Sequence, residues 1–249
     1  MGWNTSLIII ENIENYSNET ELLKTLGFDS FEQKENTTFD AILNAKDNKI
    51  GIGYYNRNLI ISDGYLLTSE SLDESNNLNL AGYEKRLVAL FPMSEIVTVS
   101  CVSTVNFHGY SLIQNGQKER LKYVSEELKQ EFGDRFEEEN AIYKDAYEAN
   151  GQLFWKDEND QDEAFSEDQL MEDFTFKVAK RRLGVQIDLE EGEDLLENTP
   201  FKVFQITNLP KKQPKTTEPS TSKPFKWKKY LVIAAILIII RILLKTISK

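Results

Sequence analysis

The stretch EIVTVSCVSTVNFHGYSLIQNGQKERLKYV, residues 95–124, predicts three consecutive strands of an antiparallel sheet. Residues 95–106 alternate strictly between two sets of side chains, as a strand with two distinct faces does. A second strand includes the apolar residues 110–113. It ends at Asn115-Gly116, a type I′ turn signal, because both central positions of that turn need a positive φ. Residues 117–124 are therefore expected to return antiparallel.

Further strand signals lie on both sides of this stretch. Residues 5–11 form a β-branched run near the start, and residues 49–55 and 59–62 flank a short polar turn, which is typical of a hairpin. Towards the end of this region, a short helix around residues 195–196 precedes a last predicted strand, residues 201–206. The sheet is therefore expected to combine strands from distant parts of the chain.

Helices are predicted between these strands by their end signals. Asn18 is placed to cap one helix, and a second helix ends before Pro92. The best-defined helix begins at Ser166 and ends at Gly184, with a capping box at its start and basic residues in its last turn. The fold class predicted for residues 1–207 is α+β, a mainly antiparallel sheet with several packed helices, as one domain or two small lobes.

Two short motifs in this region resemble those of a family of uncharacterised bacterial proteins. They are Met1-Gly2-x-x-Thr5, which leads into an apolar strand, and Ser103-x-Val105-Asn106-Phe107, which enters the strand that ends at Asn115-Gly116. The resemblance covers about the first 125 residues and residues 192–204, and family members more often have Asp-Trp where this chain has Asn106-Phe107. It implies a bacterial cytoplasmic α+β domain and carries no activity with it.

Charge divides the chain into two parts. The chain has 29 Lys+Arg and 41 Asp+Glu, a net charge of -12. Ten of the basic residues and one acid lie from Lys211 onward, a net of +9, which leaves -21 for residues 1–210. An acidic domain repels phosphates, so we expect no nucleic-acid binding, whereas the basic tail favours an anionic membrane surface. The single cysteine excludes an internal disulfide and fits a reducing compartment.

The tail has the composition of a linker followed by a membrane anchor. Residues 208–229 are rich in Pro, Lys, Ser and Thr, and residues 230–248 are predicted to form one transmembrane helix. Its apolar run begins at Leu231 and ends at Ile240, and Arg241 would lie near the far interface. At about 1.5 Å per residue this helix is about 28 Å long, close to a hydrocarbon core of roughly 30 Å. The alternatives are a buried core helix and an interfacial helix.

The residues that flank the predicted anchor indicate its orientation. Four lysines between residues 223 and 229 precede it, together with Trp227 and Tyr230, whose amphipathic rings suit the head-group layer. Because basic residues next to a span stay on the cytoplasmic side, the N-terminal domain is expected to be cytoplasmic and the protein single-pass. Residues 7–10 are too short an apolar run for a signal peptide.

Cys101 and His108, the single cysteine and the single histidine, are the candidate catalytic residues. A thiolate nucleophile needs a base within hydrogen-bond reach. Seven residues of one straight strand span over 20 Å at about 3.3 Å per residue, so the two can meet only where the chain bends, for which His108-Gly109 is a candidate. The alternative is that Cys101 packs in the core, as most cysteines do.

An acidic stretch provides candidate metal ligands. Asp157, Asn159, Asp160 and Asp162 are these candidates, and Asp157, Asn159 and Gln161 followed by Asp168 have the approximate spacing of a calcium-binding loop. The pattern lacks the glycine of such a loop, since Asp162 stands in its place, and no glycine motif for phosphate binding is present. A solvated acidic loop explains the same residues, and we predict no cofactor.

An amphipathic helix is the last predicted feature of the acidic domain. Aromatic residues 132, 136, 143 and 147 recur at helical spacing between residues 126 and 149. Such a helix packs on the sheet or docks a partner protein.

The functional hypotheses follow from the membrane anchor and from the two candidate catalytic residues. The leading one is a tail-anchored, non-enzymatic protein-binding or scaffolding domain at the cytoplasmic face of the membrane. One alternative is a membrane-tethered hydrolase that uses Cys101 and His108, and another is a structural subunit that oligomerises through its anchor.

Overall fold

The computed structural model describes residues 2–73, 76–156 and 164–209. The chain divides into two units, Met1–Pro210 and Lys211–Lys249, and the described residues all belong to the first. That unit has an α+β fold built on a large antiparallel sheet, as the strand and helix signals of the sequence predict.

The strands of the described residues form two sheets. In chain order they are β1 Asn4–Glu11, β2 Phe31–Gln33, β3 Thr37–Thr38, β4 Lys49–Tyr55, β5 Asn58–Ser62, β6 Ile96–Val102, β7 Phe107–Gln114, β8 Gln117–Val124, β9 Lys129–Phe132, β10 Tyr147–Ala149, β11 Gln152–Lys156, β12 Ala164–Ser166 and β13 Pro200–Ile206. The large sheet has the order β2-β13-β4-β5-β1-β6-β7-β8-β9, with β3 also paired to β13. The small sheet has the order β10-β11-β12, and neighbouring strands in both sheets are antiparallel.

The helices pack on both faces of the large sheet. They are α1 Glu19–Thr25, α2 Phe39–Ile42, α3 Thr68–Ser71, α4 Gly82–Leu90, α5 Glu137–Tyr143, α6 Met171–Leu183 and α7 Glu193–Asn198. The predicted end signals are confirmed. Asn18 Oδ1 accepts the backbone N–H of Glu21 at 3.1 Å, and Gly184 ends α6 with a φ of 80°. A single 3₁₀ turn, Glu167–Leu170, follows the Ser166 capping box and leads into α6.

Strand β1 shows how the sheet separates two hydrophobic cores. Leu7 and Ile9 face the core that is covered by α2, α5, α6 and α7, whereas Ile8 and Ile10 face the core under α1 and α4. All four side chains are fully buried. Burial of each aliphatic side chain of this size contributes about 1.5–3 kcal/mol, so the run at residues 7–10 stabilises both layers at once.

The turn at Asn115-Gly116 has the predicted backbone, and the hairpin turn between β4 and β5 has a similar one. Asn115 and Gly116 have φ values of 49° and 74°, and Asn56 and Arg57, between β4 and β5, have φ values of 46° and 59°. Positive φ at both central positions matches the right-handed twist of the paired strands. Local turn chemistry therefore fixes the register of both hairpins.

A bulge in β8 changes which face its side chains occupy. Leu112 pairs with Arg120 and Ile113 pairs with Lys118, so that Glu119 is an extra residue in β8. Without the bulge, Lys118 and Arg120 would share a face. The bulge instead sends Lys118 into one core and Arg120 into the other.

The helix predicted between residues 126 and 149 is wrong for most of that range. The segment contains β9, α5 and β10, and only residues 137–143 are helical. Gly133, at a φ of 80°, lies so close to β8 that a Cβ atom there would be 1.9 Å from the carbonyl oxygen of Glu119. The chain bends at this glycine, and the aromatic residues that suggested one helix face belong to separate elements.

The C-terminal strand fixes the point at which the chain leaves the sheet. Strand β13 pairs with β4 on one side and with β2 and β3 on the other. Beyond it, the backbone N–H of Thr207 donates to the carbonyl of Ser30 at 3.0 Å. The strand pairings place this exit at the end of the sheet where β1 begins. We call it the exit end and the opposite one, with loops 12–18 and 91–95, the far end.

Candidate functional site

Cys101 and His108 lie directly opposite each other in the pairing of β6 with β7. The chain turns between them through a 3₁₀ helix, Ser103–Val105, and through Asn106, which has a φ of 45°. Directly opposite residues of an antiparallel pair lie about 5 Å apart at Cα, so the bend that the sequence required is present. It lies at residues 103–106, whereas His108 and Gly109 are regular residues of β7.

The environment of this pair is that of a core. Both side chains are fully buried, and the His108 ring stacks on Phe174 with 4.8 Å between ring centroids. Neither ring nitrogen of His108 has a hydrogen-bond partner among the described residues, the Cys101 thiol included. Burial raises the pKa of the Cys101 thiol to about 12 and lowers the pKa of His108 to about 3. At neutral pH the thiol is protonated and the imidazole is neutral, which is not the state of an activated nucleophile.

A cluster of charged side chains lies beside His108 on the same face of the sheet. We call it the β8 cluster, and its members are Lys122, Lys129, Tyr143 and Glu167. The Lys122 ammonium donates to Tyr143 and Glu167, and Lys129 Nζ donates to Glu167 Oε2 at 2.5 Å. Lys122 also lies 4.2 Å from the centroid of the Phe174 ring, an attractive cation–π contact.

Burial and pairing act in opposite directions on these charges. Burial lowers the pKa of Lys122 to about 8, although Glu167 favours its charged form. Burial alone would raise the pKa of Glu167, but Lys122 and Lys129 lower it to about 2. Both directions leave the carboxylate ionised and Lys122 mainly protonated at pH 7. The Lys122 side chain is fully buried, so a substrate has no direct access to its amine.

Arg120 forms the second buried contact of β8 with the helical layer. Its guanidinium binds both carboxylate oxygens of Glu139 on α5, at 2.7 and 3.0 Å, and donates to the Gly133 carbonyl at 2.8 Å. Tyr110 donates a hydrogen bond to the same carboxylate. Arg120 and Glu139 are 2% and 0% exposed, respectively, so the pair is excluded from solvent. It holds α5 against the sheet.

Lys118 forms the equivalent contact on the opposite face. Its ammonium lies 2.8 Å from Glu84 on α4, with the two side chains 0% and 1% exposed. Ser71 Oγ donates to the same carboxylate at 2.5 Å, and Lys118 donates to the Ser71 carbonyl at 3.1 Å. Strand β8 therefore supplies three buried cations, each satisfied by an acid from another element.

The three buried ion pairs of β8 stabilise the fold. Removing one partner of a buried pair leaves an uncompensated charge and typically costs 3–5 kcal/mol. They are not evident in the sequence, because a strand with Lys118, Arg120 and Lys122 at alternate positions looks solvent-exposed on that face. The available signal was the excess of acids in the predicted helices. The three pairs join β8 to other elements of the fold, and their role is structural.

A surface depression of about 420 Å³ lies beside α6. Arg181, in its lining, donates two hydrogen bonds of 2.9 Å to Glu95 and two of 3.1 Å to Glu138. Lys180, also in the lining, lies 2.6 Å from Glu191. The third cation of the lining, Lys177, lies 3.8 Å from Asp173. All three cations of the lining therefore have an acidic partner.

The remaining candidate residues lie outside the part of the chain that the structure describes. These are the possible metal ligands Asp157, Asn159, Asp160 and Asp162 and the anchor residues Trp227, Tyr230, Leu231, Ile240 and Arg241. Within residues 2–73, 76–156 and 164–209, no group of three or more His, Cys, Asp or Glu side chains is placed to hold a metal ion. None of the helices in these ranges is long and apolar enough to cross a membrane.

Comparisons with known proteins add no relative to this picture. No protein-family model matches the chain, and no curated protein and no solved structure matches it significantly.

Proposed function

We propose that this chain is a tail-anchored, single-pass membrane protein whose acidic domain binds a basic partner protein at the cytoplasmic face of the membrane. The observation that carries the proposal is the division of the sequence into a domain of net charge -21 and a tail of net charge +9 that contains the apolar run 231–240. The basic residues around that run favour the cytoplasmic leaflet. The acidic domain attracts cations and proteins with basic surfaces.

The way the chain leaves the domain supports a tethering role. Strand β13 is hydrogen-bonded on both sides, and Ser30 and Thr207 join just beyond it, with 2.6 Å between their hydroxyl oxygens. A pulling force on the linker would therefore act on a strand that is hydrogen-bonded to neighbours on both sides. If fully extended at roughly 3.1 Å per residue, the seventeen residues 208–224 of the Pro-rich linker would allow a distance of up to about 50 Å between the domain and the membrane.

The burial of Cys101 and His108 favours a binding domain over the hydrolase alternative. Cross-strand pairing of Cys101 with His108 is the observation in favour of a hydrolase. Against it, both groups are buried, uncoupled and in the wrong protonation state for a thiolate nucleophile. The buried cations of β8, Lys118, Arg120 and Lys122, are likewise paired with acids of other elements.

Chemical crosslinking in native membranes tests this function. The full-length protein is treated with a lysine-reactive crosslinker in its own membranes, beside a form that ends at Leu209, and the adducts are identified by mass spectrometry. We expect one basic protein to be enriched with both forms, and the enrichment to fall at high salt, since screening weakens contacts between exposed charges. The proposal would be contradicted if neither the full-length protein nor the shorter form enriched a protein.

A further inference from the structure

Strand β9 is an open edge of the large sheet. It pairs with β8 on one side, and no strand among the described residues pairs with it on the other. An edge strand presents backbone N–H and C=O groups to which a strand of another chain can bond. Leu128, the residue before β9, is a large apolar side chain that is 41% exposed at this edge. The edge is therefore a candidate surface for the addition of a strand.

The hairpin between β8 and β9 determines which backbone groups point outward. The backbone N–H of Ser125 donates to the carbonyl of Leu128 at 2.8 Å, so these two residues form a hydrogen-bonded pair. From there the pairing of β8 with β9 continues without a bulge. Bonded and non-bonded pairs alternate along an antiparallel ladder, so the backbone groups of Gln130 bond to β8. The N–H and C=O groups of Lys129 and Glu131 point away from β8 for the same reason.

The side chains of residues 128–132 are complementary to their own reverse order. Along the chain they are apolar, basic, amide, acidic and apolar, namely Leu128, Lys129, Gln130, Glu131 and Phe132. When two such strands pair antiparallel with Gln130 opposite Gln130, each Lys129 lies opposite a Glu131 and each Leu128 opposite a Phe132. Strand alternation places the charged side chains on one face of the sheet and the other three on the opposite face. Both faces therefore receive matching side chains.

The outward backbone groups favour the same register. A strand added antiparallel at this edge exchanges two hydrogen bonds at each pair of residues whose groups point outward. With Gln130 opposite Gln130 there are two such pairs, Lys129 with Glu131 in both directions, which gives four backbone hydrogen bonds. A shift by two residues would instead place Lys129 opposite Lys129 or Glu131 opposite Glu131. Like charges directly opposite each other are destabilising, so the charges exclude these registers.

The two charged side chains of β9 also have partners within the chain. Lys129 lies 2.5 Å from Glu167, and Glu131 lies 2.9 Å from Arg120. Even so, the side chains of Lys129 and Glu131 are 39% and 32% exposed. In the pairing described above, these charges discriminate between registers, whereas the backbone groups and the apolar side chains provide the attraction.

We infer that β9 is the interface of a homodimer, in which it pairs antiparallel with β9 of a second copy and joins the two large sheets into one. The partner is a second copy because the edge is complementary to itself in backbone pattern, in charge and in apolar side chains at one register. A twofold axis between the two Gln130 residues relates the copies, so every contact occurs twice. This inference concerns the assembly of the chain with itself and does not depend on the proposed basic partner.

Disulfide crosslinking tests the interface directly. Gln130→Cys is introduced into the full-length protein, and its own membranes are treated with copper phenanthroline as the oxidant. Opposite residues of a non-bonded antiparallel pair lie about 4.5 Å apart at Cα, within the range of roughly 4.4–6.8 Å that a disulfide spans. Gln33→Cys, on the opposite edge strand β2, is the matched control, and the wild type controls for the buried Cys101. We expect a disulfide-linked dimer with Gln130→Cys alone.

Aspartate variants distinguish specific pairing from collision between copies. Leu128→Asp changes an exposed side chain and removes both apolar cross-strand pairs that it forms in the dimer. It should lower the yield of the Gln130→Cys dimer about fivefold or more. Val105→Asp changes a side chain that is 59% exposed outside β9 and should leave the yield as it is.

Three crosslinking results would overturn the homodimer. They are no dimer from Gln130→Cys, an equal yield from Gln33→Cys, and a disulfide between Gln130→Cys and a different protein. Light scattering of the wild-type full-length protein in a mild detergent makes the same test without a substitution. We expect the mass of two chains, which falls towards one on dilution, and the mass of one chain at every concentration would also overturn the inference.

Discussion

Cys101 and His108 are opposite each other across a strand pair, and yet neither ring nitrogen of the histidine is bonded to the thiol. Proximity without a hydrogen bond separates a packing pair from a catalytic pair, because a thiolate nucleophile needs its base within reach. The bend at residues 103–106 connects β6 to β7, and the antiparallel pairing of these strands places the two residues opposite each other.

Cys101 is predicted to react slowly with thiol reagents in the folded protein. Burial hides the sulfur and raises its pKa to about 12, so the reactive thiolate is scarce at neutral pH. Modification by a chromogenic disulfide at pH 7.5 should be at least a hundredfold faster in 6 M guanidinium than in buffer. Rapid modification of the folded protein would instead support the hydrolase alternative.

His108 is predicted to make the protein sensitive to acid. Its pKa is about 3 in the folded state and 6.5 for an unperturbed histidine, so only the unfolded chain binds the proton as pH falls from 6.5 towards 3. Stability is therefore lost over that window. His108→Phe keeps the stacking on Phe174 and removes the titration. Relative to the wild type, this variant should gain about 2 kcal/mol between pH 7 and pH 5, since one pKa unit corresponds to 1.36 kcal/mol.

Urea denaturation of the full-length protein in detergent at several pH values measures this difference. The carboxylates, including Glu167, titrate in both proteins, so their contribution cancels in the comparison. A constant offset between the two proteins from pH 7 to pH 5 would show that His108 does not carry the acid sensitivity.

The Arg120–Glu139 pair is predicted to be far more sensitive to single substitutions than to joint replacement. Arg120→Met leaves the buried Glu139 carboxylate without its cation and should cost about 3–5 kcal/mol. Glu139→Leu should cost less, because Arg120 keeps its 2.9 Å contact with the partly exposed Glu131. The double variant should recover at least half of the sum of the two losses. Lys180→Met, which removes an exposed pair with Glu191, is the control and should change stability by less than about 1 kcal/mol. Strict additivity of the buried pair in denaturation experiments would contradict its coupling.

Gly133 is predicted to be irreplaceable, unlike another glycine with nearly the same backbone. Gly133 and Gly151 have φ values of 80° and 77°, but a Cβ at Gly133 would lie 1.9 Å from the Glu119 carbonyl oxygen, whereas nothing lies within 4 Å of one at Gly151. Gly151→Ala should cost about 1–2 kcal/mol, the usual penalty for a left-handed residue. Gly133→Ala should cost clearly more, because backbone must move. Equal melting temperatures for the two variants would disagree with the close approach to β8.

Local signals in the sequence were sufficient for most of the sheet. Asn115-Gly116 fixes its hairpin through φ values that few other residues adopt, and Asn18 and Gly184 mark helix ends by their own chemistry. The buried cations of β8 were not predictable, because Arg120 and Lys122 are buried by acids 19 and 45 residues away in the chain. The burial of these cations depends on tertiary pairing, which a single sequence does not encode locally.

The same limit explains the wrong helix between residues 126 and 149. The helical spacing of its aromatic residues is coincidental, because they belong to two strands and to a short helix with its N-cap. Gly133 was the local warning, since an interior glycine costs a helix about 1 kcal/mol. The same holds for the candidate site. The sequence identifies Cys101 and His108 as the single cysteine and histidine, but that both are fully buried is visible only in the folded structure.

Membrane fractionation with protease treatment tests the tail-anchored assignment most directly. Sealed membrane vesicles of known orientation, carrying either the full-length protein or the form that ends at Leu209, are extracted with alkaline carbonate and digested with protease from one side. We predict that the full-length protein resists extraction and loses its acidic domain when protease acts on the cytoplasmic face, and that the shorter form is released. Release of the full-length protein by carbonate, or protection of its domain from cytoplasmic protease, would contradict a cytoplasmic domain held by a C-terminal anchor.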